Sequence, residues 1–453
     1  MKYEDRQNVG AIYDEEYNGN PLLEALPEPL SRGDFLKRIA NTPPLPPQTA
    51  TLSFTERKRY ISMLPSVFIP MDYMYMIYDS IYRMMQSTYL TRTSLDTVRR
   101  INAAFDGAGV GSFYGTQAES GALLGTPGIG KSSTVRRCMA MVPQVIAHEK
   151  YQGQNFYCKQ VTYLFTECPS DCSIKTLAFN IVKALDFAVG TNHLDYMMGM
   201  KSVASSAVST FLKTLCLTYH VGVILIDEIQ NVVETAQRTN RVKPLIKFLV
   251  ELTNDTSTSI YFIGTPLAET VFTAEEHLRR RTRGLRLLPL KPDGVYRRFL
   301  EQIWLYQFTA SHAVLTDKLA NKLYDYSGGI PSYIVKIFQE AQTQAIMQGR
   351  TQIDVASIQS AVDCLNIQPP GKFDRGVFIS DVEIPDEGAV SFYDGKMESV
   401  FEEGPAQVNR LYSKPRGRKS EARDERDLLE WYKEGNLLSM LRVKGMIEEV
   451  VKC

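Results

Sequence analysis

The residues with the clearest chemistry are Gly125-Thr126-Pro127-Gly128-Ile129-Gly130-Lys131-Ser132-Ser133. A glycine opens the turn, a second closes it, and a lysine and a hydroxyl follow directly. Such a turn lets backbone N–H groups wrap phosphate oxygens, and a helix starting at the lysine adds the partial positive charge of its N-terminus. Lys131 is then expected to reach the outer phosphates of ATP, and Ser132 to bind magnesium. The alternative is a Gly-rich turn with a surface lysine. The apolar run Ala122-Leu123-Leu124 before it and the helical pattern after it favour the phosphate loop.

A second group is Val223-Ile224-Leu225-Ile226-Asp227-Glu228, an apolar strand ending in two carboxylates. Asp227 is expected to hold the magnesium ion, directly or through water. Glu228 is expected to act as general base on the attacking water. Alone, the pair would read as solvated acids in a turn; after a phosphate loop it reads as catalytic. A third strand ends at Ile263-Gly264-Thr265-Pro266. Thr265 is either a γ-phosphate sensor at the strand tip or a helix N-cap before proline. Finally, Arg279, Arg280, Arg281 and Arg283 crowd one short stretch. They form either a solvated face or an arginine finger for a neighbouring subunit's site. Arg279 and Arg283 would share a helix face at i, i+4 and are the finger candidates.

The elements that must position these residues are legible as an alternation. Strands are expected at Gly121–Leu124, Val161–Cys168, Val221–Ile226, Ser259–Ile263 and Leu285–Leu288. Amphipathic helices are expected at Ser132–Met141, Ser173–Phe187, Ser202–Tyr219 and Lys243–Thr253. Strands alternating with helices imply an α/β fold, a parallel sheet with helices on both faces. The expected organisation is an extended Pro-rich arm over 1–50, a helical region over 51–115, the α/β core over 116–290, a small helical lid over 291–368 and a charged tail over 369–453. The stripe of Met and Tyr in Met71–Leu90 reads as helix core. In the tail, residues 381–403 are acidic, 409–423 are basic, and Asp424–Val451 has a helical pattern suited to a partner.

Composition excludes several classes. The 453 residues hold 51 basic and 51 acidic side chains, so no overall charge announces nucleic acid, although a local basic stripe would suffice. Apolar runs fall far short of the ~20 residues that cross a bilayer, and no signal peptide is visible, so a cytoplasmic address without a membrane partner is expected. Seven scattered cysteines without a paired spacing favour neither zinc nor disulfides.

Together the phosphate loop, the acidic strand end, the polar sensor, the arginine cluster and the helical lid resemble the AAA+ ATPases. Within them, Asp227-Glu228-Ile229-Gln230 and Gly264-Thr265-Pro266 resemble the DNA-transposition branch. Asn20-Pro21-Leu22-Leu23-Glu24-Ala25-Leu26-Pro27 and Leu441-Arg442-Val443-Lys444-Gly445-Met446-Ile447 are similar to terminal strings of the TnsC transposition regulators. Ser327-Gly328-Gly329 and the following helix resemble their lid. The resemblance implies a regulator that self-assembles around duplex DNA with ATP and releases it on hydrolysis. It implies a TnsD- or TniQ-type target selector on one side, and a TnsB-type transposase with a TnsA-type endonuclease on the other, in some cases within a CRISPR-associated transposon. It implies a bacterial, nucleoid-associated address. The lid departs from many AAA+ lids: Ser332 stands near an expected arginine, with Lys336 one helical turn later as the substitute. The same resemblance places Ser173, Lys175 and Thr176 toward a ring pore as DNA-phosphate contacts, against the alternative of an N-capped helix with an exposed lysine. The basic stretch 410–423 is a second DNA candidate, equally a flexible tether. Two other functions fit the nucleotide motifs, a helicase loader or initiator and a STAND-type interaction switch. The first usually appends a winged helix and the second repeats, and neither is visible here.

Overall fold

A computed structural model describes residues 8–13, 19–46, 49–90, 92, 118–199, 205–236, 242–269, 272, 282–367, 377–379 and 381. The chain divides into two units, Met1–Glu402 and Glu403–Cys453. The basic stretch and the expected terminal helix lie outside the described residues.

From the N-terminus come β1 (Asn8–Gly10), α1 (Pro21–Glu24), α2 (Arg32–Ile39), α3 (Phe54–Ile61) and α4 (Asp72–Leu90). Next are β2 (Ser120–Gly125), α5 (Lys131–Met139), β3 (Val145–Tyr151), β4 (Gln154–Val161) and β5 (Tyr163–Glu167). Then follow α6 (Ile174–Val189), α7 (His193–Gly199), α8 (Ser205–Thr218), β6 (Val223–Asp227), α9 (Asn231–Ala236), α10 (Val242–Thr256), β7 (Ser259–Gly264) and β8 (Thr282–Leu288). The lid helices are α11 (Gly294–Trp304), α12 (Asp317–Ser327), α13 (Pro331–Met347) and α14 (Val355–Leu365), and β9 (Val377–Phe378) comes last.

The main sheet runs β5-β6-β7-β2-β8-β9, with every pairing parallel. Its strands are apolar on both faces, as a parallel sheet covered by helices requires. Alternation divides them between two cores. Ala122, Leu124, Ile224, Ile226 and Phe262 pack with Leu177, Ile181, Leu212 and Leu249 of α6, α8 and α10. Leu123, Leu225, Tyr261 and Ile263 pack with Ile77, Ile81 and Val135 of α4 and α5, and the same cluster continues into the lid through Leu300, Ile334 and Ile337.

The Met/Tyr stripe of α4 is core. Tyr73, Ile77, Ile81, Met85 and Tyr89 recur at helical spacing and are buried. Gly121 shows how closely α4 and the sheet approach: a Cβ there would lie 2.4 Å from the Tyr261 ring and 3.0 Å from the Met84 sulfur.

Two expectations change. The first 50 residues are not uniformly extended. Asn20 caps α1 by accepting the Leu23 N–H at 3.2 Å, with Pro21 preset for the first turn, and Ser31 caps α2. Around them β1, the segment 25–31 and the proline-rich stretch 41–46 are without helix. The cap-and-proline signals outweighed the overall proline content. The terminal string is thereby anchored. Buried Glu24 accepts from Tyr151 Oη at 2.8 Å and from the Gly19 N–H at 3.0 Å, and Gln160 donates to the Leu22 carbonyl at 2.8 Å. Second, the strand expected over Val161–Cys168 changes partner at Thr162. Val161 pairs with Val145 in β3, whereas Tyr163 pairs with Val223 in β6. The β3–β4 hairpin, with Gln152 and Gly153 both in left-handed conformation at φ 48° and 79°, adds a small separate sheet with β1. A two-residue left-handed turn matches the twist of the strands it joins. Among the described residues, no helix is long and apolar enough to cross a membrane.

Candidate nucleotide site

The register of β2, β6 and β7 brings the expected groups together. Leu124 pairs with Gly264, and Ile226 with Phe262. The phosphate loop, Asp227-Glu228 and Thr265 therefore leave one edge of the sheet, the carboxyl edge at which open α/β sheets bind ligands.

In the loop, Gly128 and Gly130 hold φ of 84° and 98°, a left-handed conformation that glycine reaches without cost. Gly130 is the N-cap of α5, and its carbonyl accepts the Thr134 N–H at 2.8 Å. The lid touches the loop here. The Ser332 N–H donates to the Gly128 carbonyl at 3.2 Å, and a Cβ on Gly128 would lie 2.3 Å from Ser332 Oγ. Lys131 is 8 % exposed, and its Nζ donates to the carbonyls of Gly125 at 2.7 Å and Thr126 at 3.1 Å. Burial lowers its pKa to about 8, against the opposing pull of Asp227 and Glu228. Thr126 Oγ1 is buried with no hydrogen-bond partner among the described residues. A desolvated ammonium held by loop carbonyls, left-handed glycines and an orphaned hydroxyl form a cradle suited to a polyphosphate. Ser132 is half-buried on the first turn of α5, and Ser133 is exposed beside it.

Asp227 is 5 % exposed, and its Oδ1 accepts the Glu228 N–H at 2.9 Å. Glu228 has φ 56°, a left-handed conformation that costs a non-glycine residue on the order of 1–3 kcal/mol and clusters at functional sites. Its side chain is exposed, and its Oε2 accepts a short hydrogen bond from Gln230 Nε2. Gln230 Oε1 accepts the Thr265 N–H at 3.1 Å. Gly264 leaves the room, since a Cβ there would lie 2.7 Å from that oxygen. Gln230 thus ties the carboxylate of one strand end to the tip of the next. The sequence reading gave it no role beyond its place in a string; an amide two residues past the carboxylate was the available signal. Thr265 stands at the N-cap position of a short 3₁₀ turn but makes no side-chain capping bond.

The arginines depart from expectation. Strand β8 begins at Thr282, and Arg283 pairs with Gly121, so Arg283 lies on a strand and shares no helix face with Arg279. Backbone pairing with β2 carries β8 three residues, Thr282, Arg283 and Gly284, upstream of the strand expected from sequence. Arg279 lies outside the described residues. Ser173 caps α6 by accepting the Thr176 N–H at 3.3 Å, and Thr176 Oγ1 donates to Asp171 Oδ2 at 3.1 Å. The structure uses both hydroxyls in the cap, and Lys175 follows half-buried. In the lid, Lys336 is exposed one turn beyond Ser332.

The profile of the AAA domain family matches residues 115–272. No curated protein matches the chain in sequence. Among solved structures, the chain is similar to the Aeropyrum pernix ORC2 protein with ADPNP and ADP, at 13 % identity over 59 % of this chain and 66 % of that one, TM-score 0.37. It is also similar to the Aeropyrum pernix ORC1 protein in complex with DNA, at 13 % identity over 60 % and 64 %, TM-score 0.39. A third is the Thermotoga maritima RuvB Holliday junction branch migration motor, at 14 % identity over 61 % and 70 %, TM-score 0.30. The phosphate loop on a central strand of a parallel sheet, with an acidic strand end two strands away, gives this chain an AAA+ P-loop nucleotide-binding fold.

Proposed function

We propose that the protein is an ATP-dependent regulator of DNA transposition, of the TnsC type, that assembles on duplex DNA with ATP and leaves it after hydrolysis. The observation that carries the nucleotide part is the convergence of the Lys131 cradle, Asp227 and the Glu228–Gln230–Thr265 linkage on one sheet edge. The transposition part rests on the strings Asn20–Pro27 and Asp227–Gln230, both of which occupy structured positions.

In this reading Lys131 neutralises the outer phosphates, and Ser132 and Asp227 hold magnesium, which supplies charge neutralisation when bound. Glu228 accepts the proton of the attacking water. Thr265 senses the γ-phosphate, and Arg279 or Arg283 bridges to the next subunit's nucleotide. Ser173, Lys175 and Thr176 contact DNA phosphates without reading bases. A TnsD- or TniQ-type selector and TnsB- and TnsA-type enzymes are its partners, the latter through the C-terminal tail.

Fluorescence anisotropy with labelled duplexes of unrelated sequence tests this. Binding with a non-hydrolysable ATP analogue should be tighter than with ADP, similar across sequences and steeply salt-dependent. Equal, weak binding with both nucleotides would remove the DNA role and favour a protein-interaction switch.

A further inference from the structure

We propose that the outer edge of β5 is a docking groove, and that its occupant is this chain's own acidic segment, residues 382–403. The proposal is independent of the nucleotide and DNA reading.

Strand β5 ends the main sheet, and no strand pairs with its outer edge among the described residues. The Thr162 carbonyl accepts the Val223 N–H at 3.0 Å, and the Cys168 N–H donates to the Asp227 carbonyl at 2.8 Å, so the even-numbered residues address β6. The backbone groups of Tyr163, Phe165 and Glu167 therefore face outward. The carbonyls of Tyr163 and Glu167 meet the side-chain amides of Gln144 and Asn180 at 3.4 and 3.5 Å, at the long limit for a hydrogen bond. Sheet edges of this kind are normally covered or blunted, because they template pairing with another segment.

A groove of about 1250 Å³ runs along this edge between α5 and α6. Its walls are apolar and basic. Phe165 lies in its floor, and Phe187 stands beside it 82 % exposed. Arg38, Arg136, Arg137 and Lys183 line it against the single acid Glu167. Arg136 lies over the Phe165 ring at 3.7 Å, and Arg137 over the Phe68 ring at 4.2 Å. None of these four cations pairs with a carboxylate among the described residues. An extended, acidic segment with aromatic side chains complements such an edge by strand addition.

Residues 382–403 supply it. They hold Glu383, Asp386, Glu387, Asp394, Glu398, Glu402 and Glu403 against Lys396 alone. They also hold Val390-Ser391-Phe392-Tyr393, residue types that favour strands. Their reach suffices. Asp381 is fixed to Lys291 at 2.5 Å, near β9 at the opposite end of the sheet. In a straight line from β9 to β5 lie five strand spacings, about 24 Å, and a path around the helices that cover the sheet is longer. Fully extended, a chain of the length of 382–403 spans about 70 Å.

The test places a photo-crosslinking benzoylphenylalanine at the exposed Phe187 in the full chain. Light and heavy isotope-labelled copies are mixed, irradiated, digested and read by mass spectrometry. The expected adduct joins Phe187 to a peptide within 382–403, always of matching isotope. Its yield should fall about fivefold, the effect of a few exposed ion pairs, on neutralising Asp394, Glu398 and Glu402 to Asn, Gln and Gln. The exposed Lys183→Glu substitution should lower it similarly. Absence of an adduct, adducts confined to other segments, or a yield unchanged by both charge variants would overturn the proposal. Mixed-isotope adducts would overturn it by assigning the groove to a second copy.

Discussion

Lys131 is held by two carbonyls of its own loop, and burial lowers its pKa to about 8. A lysine whose folded pKa lies below its unfolded value opposes folding at neutral pH. The unfolded chain binds the extra proton between the two values, so stability from this group rises as pH climbs from about 8 toward the ordinary lysine range. Lys131→Met should therefore raise the urea midpoint at pH 7, with the gap to wild type narrowing between pH 8 and 10; a constant gap would contradict a desolvated ammonium. At the carboxylate, Glu228→Gln should lower turnover about 10²–10⁴-fold while nucleotide affinity holds. Gln230→Leu should lower it about tenfold by releasing both of its hydrogen bonds. Steady-state phosphate release with fluorescent-nucleotide titration measures both; unchanged turnover in Gln230→Leu would leave that amide a purely structural link. The placement of the phosphate loop, Asp227 and Thr265 at strand ends was legible because apolar runs mark the strands that lead into them. The role of Gln230 was not, because it depends on how two neighbouring strands end side by side.

Among the elements, period and length carried most of the reading. The strands ending at Gly125, Asp227 and Gly264 lie within a few residues of their expected places, and the segment expected as a lid holds the helices α11 to α14. What escaped was local punctuation. The Gln152-Gly153 turn marks a hairpin, Asn20-Pro21 starts a helix, and Thr162 switches one strand between sheets. Arg283 escaped for another reason: the polar start of a strand looks like a helix face when charge spacing is read alone. Helix α4 carries a testable share of stability. Ile81 is fully buried between α4 and the sheet, so Ile81→Ala should cost about 2–5 kcal/mol. A denaturant midpoint shift well below that range would show that α4 is loosely packed against the sheet.

For the whole molecule, the proposed reading makes the site half of an interface. The nucleotide edge carries the Lys131 cradle, Asp227 as the proposed metal ligand and Glu228 as the proposed base, while the arginine cluster follows Thr265 in sequence. If an arginine completes a neighbour's site, Arg279→Ala or Arg283→Ala should lower turnover and assembly together and leave the affinity of the isolated subunit within about twofold, since transition-state charge is what such a residue meets. Sedimentation beside nucleotide titration separates the two; a loss of subunit affinity would place that arginine in its own site. The lid's contact of Ser332 with Gly128 supplies a route from the loop to the helical domain.

The most direct measurement is electron microscopy of the full chain with duplex DNA, comparing a non-hydrolysable ATP analogue with ADP, and wild type with Lys131→Ala. The account predicts rings or filaments on DNA only for wild type with the analogue. Equal assembly with ADP, or in Lys131→Ala, would contradict a nucleotide-gated clamp.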